Sequence, residues 1–237
     1  MIDDLLSARL ESSVGGERPK LLVGTADGAS LIVKFTPSLN DPFGPRWRDL
    51  LRVEALAAQT LRTAGIDAVK SRYVEVEDRG YLEIERFDRV KPTRPFFGSG
   101  RVGHVTLFNL GMALYGEASN PEVVIAGLVR DGHLPPEDAA RFARQHAFSR
   151  AIANTDTHLG NYGLLIDDDG NARLSPAYDV LPMAFAPKHD ELPDRLVQHT
   201  GPRDAATDEL VQRLIAAVEA EQGITREFRE AWLRAVG

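Results

Sequence analysis

The 237-residue chain is 43% hydrophobic and 27% charged with a net charge of −7, ordinary values for a globular protein with room for one domain or two lobes of about 100 residues each. It contains no cysteine, which excludes disulfides, thiolate zinc sites and cysteine nucleophiles, and no run approaches the ~20 apolar residues that span a bilayer. The acidic balance disfavours direct contact with a nucleic-acid backbone, and the opening "MIDDLLSARLESS" lacks the profile of a secretion signal, so a cytoplasmic protein without membrane contact is expected.

"SSVGGERPK", Ser12 to Lys20, precedes the first predicted strand. Adjacent glycines let a backbone approach a ligand and aim amides at phosphate oxygens, but Gly-Gly before a strand also serves as a plain turn. The Gly-Lys-Ser/Thr ending of a Walker A loop is missing. Residues 20–23 and 31–35 alternate as a hairpin around "TADGAS". In "LIVKF" the alternation puts Leu31, Val33 and Phe35 on one face, with Ile32 and Lys34 on the other. A helix is expected over Trp47–Thr63, closed by Gly65. Its apolar stripe is Trp47, Leu50, Leu51, Ala57, Ala58 and Leu61, with Glu54 at the centre. A buried carboxylate needs a partner. Either Lys34 supplies it from the adjoining sheet, or the helix is rotated and Glu54 lies at the edge of the stripe.

"YVEVE" and "YLEIERF" read as two further strands, and a linker is expected around Asp88–Pro95. Beyond it "HVTLFNLGMALYG", "NPEVVIAGLVRDG" and "PPEDAARFARQHAFSRAIAN" read as helices, with Asn120-Pro121 as a cap and first-turn pair. "YGLLIDDDGNARLS" returns to strand–turn–strand around Asp169-Gly170. Two amphipathic helices, separated near Gly223, close the chain between Asp204 and Val236. Residues 1–88 are therefore expected to form a small β-rich N-lobe, and 89–237 a larger, mainly helical C-lobe.

Between the last long helix and that second hairpin lies "NTDTHLGN", Asn154 to Asn161. Asn154, Asp156 and Asn161 could simply form turns to nearby backbone. They could also be aimed side chains, because the hairpin over 162–174 would return Asp179 beside Asp156 and Asn161. Oxygen ligands of this kind suit Mg2+ held through phosphate, and Asp156 would then orient or deprotonate a hydroxyl. The six histidines show no HExxH or i, i+4 spacing. His158, two residues after Asp156, is the one positioned to contact phosphate or substrate. "IDDDG" fails the EF-hand spacing, since Leu165 would occupy the first ligand position.

A Gly-rich loop, a strand lysine, a helix glutamate, Asp-x4-Asn and a later Asp follow the order of parts in a protein-kinase-like phosphotransferase of α+β, bilobal fold. The hinge would follow "YLEIERF", where backbone around Glu85, Arg86 and Phe87 could bond adenine. Through "SSVGGERPK", "LIVKF", "IERFDR", "NTDTHLGN" and "LSPAYDV", the chain resembles the HipA family of serine/threonine kinases, toxin components of bacterial toxin–antitoxin modules. The resemblance runs from about Ser12 to at least Met183.

The resemblance implies ATP and Mg2+ as cofactors and an ATP-dependent transfer to a protein serine or threonine. It implies Lys34 on the α/β phosphates, Glu54 holding Lys34, Asp156 as base, and Asn161 and Asp179 on Mg2+. The loop Ser13, Val14, Gly15 and Gly16 would cover the nucleotide, and a loop serine would be autophosphorylated to shut the enzyme down. Ser13 matches that serine, with Ser12 beside it. An antitoxin protein is the implied partner. A short or divergent member, or a fragment of a longer chain, is expected, with only eleven residues before the loop where relatives carry an N-terminal subdomain, and Gly-Gly-Glu-Arg-Pro-Lys in place of Ala-Gly-x-Gln-x-Lys. A small-molecule kinase of the aminoglycoside phosphotransferase type, and a non-catalytic nucleotide-binding regulatory module, are the alternatives.

Overall fold

A computed structural model describes residues 20–25, 28–90, 100–117, 119–188, 192–193 and 203–237. Ser12, Ser13, Val14, Gly15 and Gly16 of the Gly-rich loop lie outside the described residues, as does the linker from Lys91 onward. Four antiparallel strands open the fold: β1 (Lys20–Gly24), β2 (Ser30–Phe35), β3 (Ser71–Val76) and β4 (Arg79–Glu85), in the order β1-β2-β4-β3. The alternation of β2 divides its side chains between two environments. Val33 and Phe35 pack with Tyr81, Leu21, Leu31 and Val74 on the outer face. Ile32 and Lys34 face α1 (Gly44–Thr63), alongside Leu82 and Ile84 of β4. That helix carries Pro45 in its first turn, where a missing N–H is harmless. Its buried stripe covers the inner face of the sheet.

The second half is helical around a small sheet. After the short pair β5 (Arg89–Val90) and β6 (Gly100–Arg101) comes β7 (Gly103–Thr106), followed by α2 (Leu107–Leu110) and a π-helical turn over Gly111–Tyr115. The stretch from His104 expected as one helix thus begins as a strand. β7 pairs antiparallel with β8 (Gly163–Ile166), sixty residues away, and the helix starts only where Thr106 caps it by accepting from the Asn109 N–H. The approach is close at Gly163, where a Cβ would stand 2.4 Å from His104 Nε2. α3 (Pro121–Arg130) is capped by Asn120, and α4 (Pro136–Ala151) leads into the polar loop. β9 (Ala172–Leu174) returns along β8 through a turn at Gly170, whose φ of 83° favours glycine. α5 (Ala205–Ala220) and α6 (Arg226–Val236) end the chain.

Two cores hold this arrangement. The larger joins Leu50, Val53 and Ala57 of α1 and Leu82 of β4 to Phe148, Ile152, Leu214, Phe228 and Trp232 of the helical half. The tail helices therefore pack directly behind α1. The smaller core gathers Leu107, Val124, Leu128, Phe142, Leu159, Tyr162 and Leu164. The polar loop runs between them, with Ile152 and Ala153 in the first and Leu159 and Tyr162 in the second. Among the described residues no helix is long and apolar enough to cross a membrane.

Candidate active site

The inner face of the sheet brings two lysines together. β1 and β2 pair so that Lys20 stands directly opposite Lys34. Like charges in that relation destabilise a sheet, and here two carboxylates face them. Glu54 lies at the centre of the buried α1 stripe, 2% exposed, and its Oε1 accepts from Lys34 Nζ at 2.6 Å. Asp179 Oδ1 accepts from the same ammonium at 2.5 Å, and Asp179 Oδ2 lies 4.0 Å from Lys20 Nζ. Glu54 is therefore central in its stripe and paired, not at its edge.

Burial alone would lower the Lys34 pKa, but the Asp179 and Glu54 carboxylates outweigh it and hold the ammonium above its ordinary value. Burial raises Glu54 despite Lys34 beside it. Burial also pulls Asp179 upward, but Lys34 and Lys20 overcome this and leave it below the usual carboxylate range. Glu54 Oε2 is buried without a hydrogen-bond partner among the described residues.

The loop from Asn154 to Asn161 starts from a left-handed cap on α4. Ala153 has φ 68°, its N–H donates to Arg150 O, and the Asn154 N–H donates to Ser149 O. Asp156 is then held at three points. Its N–H donates to Asn154 Oδ1 at 3.0 Å, its carbonyl accepts from Asn161 Nδ2 at 2.7 Å, and its Oδ1 lies 3.2 Å from His158 Nε2. His158 Nδ1 accepts from the Gly160 N–H at 3.0 Å, which leaves Nε2 as the protonated nitrogen of the neutral ring, facing Asp156.

Asp179 is placed from the other side. Ala177 bridges to Ala68, accepting from the Val69 N–H and donating to Asp67 O, and so fixes the chain two residues earlier. Tyr178 OH donates to Gly160 O, and Asp179 itself sits at φ 54°. Lys20, Lys34, Glu54, Asp156, His158, Asn161 and Asp179 line one cavity of about 430 Å³. A larger groove of about 690 Å³ between α3, α4 and α5 shares none of these residues.

Glu85, Arg86 and Phe87 lie outside that cavity's lining. The Glu85 and Arg86 N–H groups already donate to Lys70 O and Ser30 O. Phe87 stacks on Tyr178 with ring centroids 5.7 Å apart, and His104 meets both rings edge-on.

The donors suit a hard cation bound mainly through its ligand. Asn161 spends its Nδ2 on Asp156, leaving Oδ1 as its acceptor end, and Asp179 lines the same cavity. Among the described residues no group of three or more His, Cys, Asp or Glu is gathered to hold a metal. Two protein oxygens completed by phosphate and water is the arrangement Mg2+ accepts and a closed metal cage is not.

Lys20, Thr155 and Lys188 also line the cavity without having been singled out from sequence. Lys20 had a signal: counting back through the hairpin puts it across from Lys34. Nothing comparable in the sequence marks Lys188.

Comparison with known proteins places this geometry in context. A family model described as the HipA-like C-terminal domain matches residues 12–236. Toxin YjjJ of Escherichia coli (strain K12) is 33% identical over 189 residues, covering 78% of this chain and 41% of that protein. The chain thus corresponds to less than half of YjjJ. Among solved structures, HipA of Shewanella oneidensis MR-1, seen in a toxin–antitoxin complex of HipA, HipB and operator DNA, superposes with a TM-score of 0.61 at 17% identity. That match covers 94% of this chain and 62% of that one. The Helicobacter pylori proinflammatory kinase CtkA gives 0.53 at 16% identity, over 72% of this chain and 55% of that one. These likenesses show the fold, which is the bilobal α+β fold of protein kinases.

Proposed function

Because the chain belongs to the HipA-like C-terminal domain family, we propose that it is an ATP- and Mg2+-dependent kinase acting on a serine or threonine of a protein. The observation that carries this reading is the Lys34 ammonium held between Glu54 and Asp179, in the cavity that also presents Asp156 and Asn161. Lys34 binds the α/β phosphates and Glu54 holds it upright. Asp156 orients the acceptor hydroxyl and takes its proton as the new oxygen–phosphorus bond forms and the bond to the ADP oxygen breaks. Asn161 and Asp179 would hold Mg2+, which when bound neutralises phosphate charge. His158 steadies Asp156 and reaches toward the phosphates. Catalysis is then mostly positioning and charge neutralisation.

In the same reading, residues 1–88 form the nucleotide-covering lobe and 89–237 the lobe with the catalytic loop. Ser13, Val14, Gly15 and Gly16 close over the phosphates, with Ser13 or Ser12 as the autophosphorylated position. The base rests at Glu85–Phe87, where the hinge carbonyls and Phe87 do the recognition, since two of the amides are already engaged. The protein works in the cytoplasm with an antitoxin partner, as HipA of Shewanella oneidensis is found with HipB.

Incubation with γ-labelled ATP, Mg2+ and cell lysate tests the reading through the identity of the labelled species. Label on protein serine or threonine is expected. Label on a small hydroxyl compound would turn the assignment to a small-molecule kinase, and no transfer at all would leave a nucleotide-binding regulatory module.

A further inference from the structure

The two aspartates of the site come from segments 23 residues apart in sequence, and one side chain bonds to both. Asn154 is 6% exposed, and its amide is fully engaged. Oδ1 accepts from the Asp156 N–H at 3.0 Å, and Nδ2 donates to the Asp179 carbonyl at 3.3 Å and to Ser149 Oγ at 2.9 Å. Ser149 belongs to α4, so the amide also touches that helix while it bonds to both segments of the site. The segments it joins are conformationally costly: Ala153, just before it, has φ 68°, and Asp179 has φ 54°. Non-glycine residues in this region persist only where surrounding bonds over-determine them.

We propose that Asn154 is a positioning residue that locks Asp156 and Asp179 into one frame, so that its loss slows phosphotransfer without weakening nucleotide binding in proportion. The proposal rests on the kinase reading given above. It assigns Asn154 no contact with substrate. Its oxygen sets the backbone from which the Asp156 carboxylate projects, and its NH2 group sets the carbonyl of the residue offered to the metal. A displacement of about 1 Å in such a pair lowers turnover roughly 100-fold. Lys34 and Glu54, which Asn154 does not touch, keep their own pairing.

The test is steady-state kinetics with Mg·ATP and casein as acceptor protein, for wild type, Asn154→Asp, Asn154→Ala and Ser149→Ala. Asn154→Asp keeps the acceptor for the Asp156 N–H and removes the donor to the Asp179 carbonyl. Expected for both Asn154 variants is a fall in kcat of about 100-fold, with the KM for ATP within about threefold and a melting transition showing folded protein. Ser149→Ala, which leaves both inter-loop bonds in place, is expected to keep kcat within about threefold. Asn154 variants with wild-type kcat, or with activity lost only in step with the folded fraction, would overturn the proposal. So would a KM increase that accounts for the whole effect. A wild type that transfers no phosphate to casein or to any protein of a cell lysate would remove the kinase reading and the proposal together, whereas an active wild type beside an equally active Asn154→Asp removes the proposal alone.

Discussion

Lys34 carries the charge balance of the site. Its ammonium is shared by two carboxylates, Glu54 and Asp179, with Lys20 4.0 Å from the far oxygen of Asp179. Removing one member of a buried ionic group leaves the others uncompensated, which costs more than the intact group contributes. Lys34→Met is expected to lower stability by about 3 kcal/mol. Adding Glu54→Gln should recover part of that loss without restoring phosphotransfer, as denaturant midpoints and labelled-phosphate assays would read. The sign with pH follows from Asp179. Its carboxyl is held below the ordinary 3.8, so its contribution is present above that value and is lost as pH falls through the folded value. Glu54, raised by burial, runs in the opposite sense. At this scale the sequence was unusually informative. Lys34 and Glu54 were legible as candidates because an isolated charge in an apolar pattern demands a partner, while periodicity alone left open whether Glu54 lay at the centre or the edge of its stripe. The three-point hold on Asp156 was not legible, since turn formers and aimed side chains share one composition.

At the scale of elements, α1 could be read from its stripe because its periodicity is local. β7 could not. "HVTLFN" has enough apolar residues for a helix, and the strand that overrides this lies at Gly163–Ile166, beyond any local window. The placement of α6 was hidden for the same reason. Its N-terminus is fixed to α1 by the buried Asp49, which accepts from the Thr225 N–H at 3.1 Å and from the Thr225 hydroxyl. Thr225 in turn caps α6 by accepting from the Phe228 N–H. Asp49→Ala would leave these donors unmatched under a packed surface, and is expected to destabilise by about 2 kcal/mol. Urea titration would measure it, and an unchanged midpoint would show that the contact contributes nothing.

Over the whole molecule the two halves share one continuous core, in which α1 is enclosed by the sheet on one side and by the tail helices on the other. Trp232 of α6 is fully buried, and its Nε1 donates to Ile152 O at 3.1 Å, immediately before the polar loop. The far end of the chain thus braces the start of "NTDTHLGN", while Ala177 braces Asp179 from the loop after α1. The bilobal class was legible from the change in pattern near residue 92. The tail's support of the polar loop was not, because an amphipathic helix does not disclose which surface it will cover. The central claim is that this scaffold exists to transfer phosphate through Asp156. Its most direct measurement is transfer from γ-labelled ATP with Mg2+ by wild type and by Asp156→Asn, both confirmed folded. The account predicts labelled serine or threonine from wild type, and a rate at least about 100-fold lower from the variant. Equal labelling by the two proteins would contradict it.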